Sequence, residues 1–205
     1  MKKILVAFTT NAGSTAEVAQ GIGDALRKQG HQVDVARLED TASVRPYDVV
    51  IVGAPMILGW SRPALRFVKA HQADLAHKRV AYFCTLMSLT EASPDQVVGT
   101  VLYIDPWLPK PPRNPRRLSI KERYTTPSNY LRPLLKAAPS VHPVSIAFFG
   151  GKLELFRLKW WQMLFVMLVI QAQPGDLRNW QFIQDWVDAV GLSGEGQSVI
   201  DRSSP

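Results

Sequence analysis

Lys3-Ile4-Leu5-Val6-Ala7-Phe8-Thr9-Thr10-Asn11-Ala12-Gly13-Ser14-Thr15 decides how the rest of this chain is read. The apolar run Ile4 to Phe8 predicts a short buried strand. Thr15 to Gln29 then places Val18, Ile22, Ala25 and Leu26 at helical spacing, with Gly30 as the stop. Between strand and helix lies a polar turn of Thr, Asn, Gly and Ser. A strand that passes through such a turn into a helix is the opening unit of an α/β chain.

The alternation continues outward. Gln32 to Leu38 shows Val33, Val35 and Ala36 in a strand pattern. Asp48 to Gly53 carries Val49-Val50-Ile51-Val52, the continuous apolar run of a strand covered on both faces. Pro63 to Leu75 reads as a helix with proline in its first turn. Arg79 to Thr85 is a fourth strand, Ser128 to Lys136 a helix, Val144 to Phe149 a fifth strand and Gln184 to Val190 a closing helix. Strands that alternate with helices predict a parallel sheet built from right-handed crossovers. The expected fold class is α/β, a three-layer sandwich around a five-stranded parallel sheet.

With 205 residues, 46% hydrophobic and 20% charged, the chain is long enough to bury one good core. One domain is expected over 1–192, with insertions at about 99–125 and 151–175 and a polar, disordered tail over 193–205. Cys84 is the single cysteine, which excludes a disulfide framework and reads as a core residue of the fourth strand. His31, His71, His77 and His142 show no metal-ligand spacing, so no metal site is expected. Met1-Lys2-Lys3 has the charge of a signal peptide, but the apolar run after it is too short for one. A cytoplasmic location is the expectation.

The turn at Thr9, Thr10, Asn11, Ala12, Gly13, Ser14 and Thr15 carries the chemistry. A phosphate needs several donors at once, and free N–H groups at a helix N-terminus supply them with favourable dipole sign. Thr, Ser and Asn add short donors, and Gly13 lets the backbone turn closely around an oxygen. The loop has no lysine, so it is neither GxxxxGK[ST] nor GxGxxG. A phosphomonoester bound by neutral donors is the option that remains, beside an ordinary capped turn. The position after the first strand of an open sheet favours the phosphate.

The third strand runs into Gly53-Ala54-Pro55-Met56-Ile57-Leu58-Gly59-Trp60 at the same carboxyl edge, where Met56, Ile57, Leu58 and Trp60 offer faces to a flat ring such as a flavin. Ala54, Pro55 and Gly59 bring backbone groups to its rim. Thr85-Leu86-Met87, after the fourth strand, is the natural third wall.

These stretches, with Tyr47 to Ala54, Pro63 to Lys69, Ile146 to Gly151, Asp176-Leu177-Arg178 and Asp185-Trp186, resemble the flavodoxin superfamily. Within it they are similar to the menaquinone-dependent protoporphyrinogen IX dehydrogenase family. The resemblance implies a flavodoxin-like three-layer sandwich and FMN bound by Thr10 to Thr15 and by the Gly53 to Trp60 loop. It also implies two-electron oxidation of a porphyrinogen-like substrate, with electrons passed to a quinone. The alternative is a flavodoxin-type electron-transfer protein without its own substrate site. No side chain stands out as a general acid or base.

The formal charge of +7 and a pI near 9.7 suggest an anionic partner. Arg113, Arg116, Arg117, Lys121, Arg123 and Arg132 lie in one segment, where they suit substrate carboxylates or anionic lipids or are simply solvated. Nothing matches a nucleic-acid motif. Trp160 to Ile170 is too short to span a bilayer, which takes about 20 apolar residues. Its apolar run, with Lys152, Arg157, Lys159, Trp160 and Trp161 before it, fits an interfacial helix at a membrane surface through 152–172, or a helix buried against the domain or a partner. Peripheral attachment to the inner face of the cell membrane is the matching location.

Overall fold

The computed structural model describes residues 1–56, 60–90, 100–114, 117–153 and 175–190. The expected helix around Trp160 to Ile170 and the tail over 193–205 lie outside the described residues. The elements are β1 (Lys3–Phe8), α1 (Ser14–Lys28), β2 (Gln32–Arg37), β3 (Val49–Pro55), α2 (Arg62–Ala70), α3 (Gln72–Leu75), β4 (Arg79–Leu86), β5 (Leu89–Thr90), β6 (Val101–Ile104), β7 (Pro109–Lys110), α4 (Ile120–Tyr124), α5 (Pro127–Ala137), β8 (Ser145–Gly150), β9 (Lys152–Leu153), β10 (Gly175–Asp176) and α6 (Trp180–Ala189). A 3-10 turn, Leu38–Asp40, follows β2.

The central sheet has the order β2-β1-β3-β4-β8-β6, with every pairing parallel. Successive side chains of a strand point to opposite faces, and here both faces are buried. Leu5, Ala7, Val50, Val52, Tyr82 and Phe148 pack under α2 and α5. Ile4, Val6, Ile51, Phe83 and Phe149 pack under α1 and α6, against Val18, Ile22, Ile183 and Trp186. Trp186 stands edge-on to Phe149 at 5.3 Å and donates its indole N–H to Ser145 Oγ at 2.8 Å. Each large apolar side chain buried this way contributes roughly 1.5–3 kcal/mol. The expected flavodoxin-like three-layer sandwich is the architecture observed.

Two elements depart from expectation. The Pro-rich stretch after Gly99 contributes a sixth strand, β6, which pairs along the outer side of β8 from Val101↔Ser145 to Ile104↔Phe148. Four residues followed by Pro106, Pro109, Pro111 and Pro112 leave too little period to read. The helix expected over Pro63 to Leu75 is also two helices, interrupted at His71, whose ring tilts onto Phe67 at 4.5 Å. Cys84 is buried in β4, where burial pushes its thiol pKa up.

Two close approaches fix the interior. A Cβ on Gly53 would stand 2.0 Å from Phe83 Cζ, so the Phe83 ring occupies the space beside β3. A Cβ on Gly150 would stand 1.8 Å from the Leu177 carbonyl oxygen, so the chain leading to α6 crosses directly over the end of β8. Leu177 N–H donates to Gly151 O at 3.0 Å in the same crossing. Gly150→Ala is therefore expected to lower stability by roughly 1–3 kcal/mol through overpacking. Urea unfolding measures it, and wild-type stability in that variant would show that the crossing is not tight.

Candidate functional site

In a parallel sheet the strand-to-helix connections share one edge, and the order reverses on either side of β1, which leaves a crevice between β1 and β3. The loop Thr9 to Gly13 occupies it. Thr9 is buried and its N–H donates to Gly53 O at 3.0 Å, which stitches the loop to β3. Thr10 Oγ1 accepts the Gly13 N–H at 3.0 Å. Asn11 is exposed at the loop tip, and Ala12 is half-buried beside it.

Gly13 has φ 93 and is the N-cap of α1, with no side-chain cap on the helix. The first helical bond runs from Glu17 N–H to Gly13 O at 3.1 Å. The N–H groups of Ser14, Thr15 and Ala16 precede it, so they have no partner within the helix. Ser14 Oγ accepts the Lys152 N–H at 2.8 Å. Thr15 is buried, and its hydroxyl meets that of Thr85 at 2.8 Å. The first turn of α1 and the end of β4 thus meet through two neutral hydroxyls.

The second wall is more deeply packed than its sequence suggests. Ala54 and Pro55 end β3, and Met56 N–H donates to Thr85 O at 2.9 Å. Met56 and Trp60 form an antiparallel bridge and are both buried. The Trp60 ring stands edge-on to Tyr82 at 6.1 Å, inside the core under α2, and its Nε1 has no hydrogen-bond partner among the described residues. Its place is therefore the core rather than an open ring face. Ile57, Leu58 and Gly59 lie outside the described residues. Thr85 and Leu86 are buried at the end of β4, with Met87 half-buried beyond, and Leu86 O accepts the Gly151 N–H at 2.8 Å.

One site neighbour escaped the sequence reading of individual residues. Arg178 lies against the first turn of α1, where it pairs with Glu17, and it also holds both carboxylate oxygens of Asp176. These hydrogen bonds hold the Asp176 carboxyl below its usual range. The signal was available locally, because residues two apart in an extended segment share a side, which suits an acid–guanidinium pair.

The basic segment stays on the surface. Lys110, Arg113, Arg117, Arg123 and Arg132 are exposed, while Arg116 and the Lys121 side chain lie outside the described residues. Glu122 anchors this segment by accepting the N–H groups of Arg113 and Ser119, each at 2.7 Å. Its carboxyl is pushed down to about 2, first by the Ser119 side chain and then by these two backbone donors. Trp107 is exposed in the turn after β6. Among the described residues, no helix is long and apolar enough to cross a membrane.

A family model described as Flavodoxin domain matches residues 5–177. The protein named protoporphyrinogen IX dehydrogenase (quinone) from Escherichia coli strain K12 is 23% identical over 205 residues, covering 98% of this chain and 97% of that one. Among solved structures, oxidised Flavodoxin 2 from Bacillus cereus is 27% identical with a TM-score of 0.37, over 41% of this chain and 61% of that one. The flavodoxin of Streptococcus pneumonia TIGR4 is 12% identical with a TM-score of 0.49, over 92% and 97%.

The hydroxyl pair gives a stability test that needs no ligand. Thr85→Val strands the Thr15 hydroxyl in a buried place and is expected to cost about 1–3 kcal/mol, whereas Thr15→Val with Thr85→Val should recover most of that loss. A double-mutant cycle by thermal or urea unfolding reads the difference. Additive losses would show that the two hydroxyls do not depend on each other.

Proposed function

This chain belongs to the flavodoxin domain family, and from that premise we propose that it binds FMN at the carboxyl edge of its sheet as the cofactor of an oxidoreductase. The observation that carries the reading is the start of α1, an uncapped helix entered through a left-handed Gly13. Three N–H groups there share a direction, and the dipole of the helix favours an anion. Thr10 and Ser14 each accept a backbone N–H, which leaves their own hydroxyl protons to donate to phosphate oxygens. The donor set is neutral and short, which suits a compact phosphomonoester.

Thr9 to Thr15 would hold the phosphate. Ala54, Pro55, Thr85, Leu86 and Met87 would border the flavin ring, and Ile57, Leu58 and Gly59 are further candidates for contact with it. Met56 and Trp60 support that wall from beneath. When bound, FMN supplies two-electron oxidation of a substrate and onward transfer to an acceptor. The chain's part is to bind, orient and partly shield it.

The whole-length similarity to the Escherichia coli dehydrogenase favours a porphyrinogen-like substrate and a quinone acceptor. Exposed Arg113, Arg117 and Arg123 give such an acidic substrate, or an anionic lipid surface, a positive approach. A quinone acceptor would bring the protein to a membrane surface.

The purified protein is expected to show flavin absorbance or to gain it when FMN is added. Gly13→Val should weaken FMN roughly tenfold or more, because a β-branched side chain in the left-handed region costs about 1–2 kcal/mol. The loaded protein should then oxidise protoporphyrinogen IX anaerobically with menaquinone as acceptor, followed by porphyrin fluorescence. FMN binding without this turnover would favour the electron-transfer protein. No flavin, bound or added, would overturn the reading.

A further inference from the structure

The phosphate loop contains no cation, yet an acid stands directly behind it. Glu17 occupies the first turn of α1. A carboxylate there competes with a phosphate dianion for the same positive helix end. The chain meets this problem from a distant part of the sequence. Arg178, with its side chain only 8% exposed, directs Nη1 to Glu17 Oε2. Its Nε reaches Asp176 Oδ1 at 2.8 Å and its Nη2 reaches Asp176 Oδ2 at 2.6 Å, so the guanidinium plane is fixed on two sides. The third support is Trp180, whose ring lies 5.0 Å from Arg178 Cζ. That ring packs on α1, since a Cβ on Gly21 would stand 2.7 Å from Trp180 Cζ3.

The partner acid is balanced too. Asp176 faces Lys152 across the β9–β10 ribbon, and Lys152 also donates its N–H to Ser14 Oγ in the phosphate loop. Among the described residues, Glu17, Asp176, Arg178 and Lys152 bring two acids and two bases together. Removing Arg178 takes one positive charge from this group, the one held against Glu17.

Building on the FMN reading, we propose that Arg178 is the positioning residue of the phosphate loop. It masks the Glu17 charge and fastens the β9–β10 ribbon to the first turn of α1, which makes a cation-free loop fit for a phosphate dianion. The dependence is specific to the phosphate. A flavin lacking that group loses nothing when the mask is removed.

The test is a titration of the whole protein with FMN and with riboflavin, followed by flavin fluorescence. Arg178→Met should weaken FMN roughly tenfold, the scale of an unmasked charge at a partly buried helix end, and leave riboflavin unchanged. Glu17→Gln in the Arg178→Met background should restore FMN binding. Arg178→Lys, which keeps the charge, should retain most of it. Glu17 and Asp176 are 41% and 42% exposed, so the loss of Arg178 leaves no acid sealed from water. Glu17→Gln alone keeps the clamp to Asp176 and should tighten FMN. That variant keeps the proposal testable even if Arg178→Met does not fold.

Unchanged FMN affinity in Arg178→Met, equal losses for FMN and riboflavin, or no restoration by Glu17→Gln would each overturn the proposal while the FMN reading stands. In the single Glu17→Gln variant, FMN binding no tighter than wild type would do the same. Wild-type protein that binds neither flavin would overturn the FMN reading and this inference with it.

Discussion

Ile4 and Val6 pack on one face of the sheet while Leu5 and Ala7 pack on the other, and the same double burial runs through β3, β4 and β8. A strand dry on both sides needs a helix layer on each face. Parallel neighbours joined by helical crossovers supply it, and a hairpin does not. Every strand-to-helix loop then emerges at the same edge. The carboxyl ends of β1, β3, β4 and β8 lie at that edge because the strands have no wet face, and the candidate site is a consequence of core packing.

What could be read beforehand follows from this. Continuous apolar runs such as Val49-Val50-Ile51-Val52 have a strong local signal, and so does a Gly-Ser-Thr turn that opens a helix. The two strands and the helix around Thr9 to Thr15 were therefore legible nearly to the residue. β6 was not, because Val101 to Ile104 becomes a strand only through its pairing with β8, over forty residues further on. The break at His71 and the burial of Trp60 depend on tertiary packing against Phe67 and Tyr82 in the same way. In sequence Trp60 reads both as a face for a flat ring and as an apolar loop residue packed on its neighbours, and only the contact with Tyr82 shows its burial.

Arg178 shows the electrostatic side of this limit. Its pairing with Asp176 is local, but its pairing with Glu17 spans 161 residues. The turn from Thr9 to Thr15 carries neutral side chains alone, and beside it stand acids and bases drawn from distant parts of the chain. The ribbon from β9 to β10 is tied to the first turn of α1 by Arg178. Thr15 and Thr85, both buried, join the first turn of α1 to the end of β4 without adding charge.

The sixth strand has a consequence for life in a crowded solution. An open sheet ends in a row of unsatisfied amides and carbonyls, and a long, regular one recruits strands from other molecules. Here β8, buried along its whole length, would present such a row if it were outermost. β6 covers it with four residues, and Pro106 and Pro109 follow at once. Proline has no N–H to offer to an incoming strand, so pairing cannot extend far beyond Ile104. The edge that the sheet presents on this side is therefore four residues long and is followed by proline, which shortens the row of groups open to another strand.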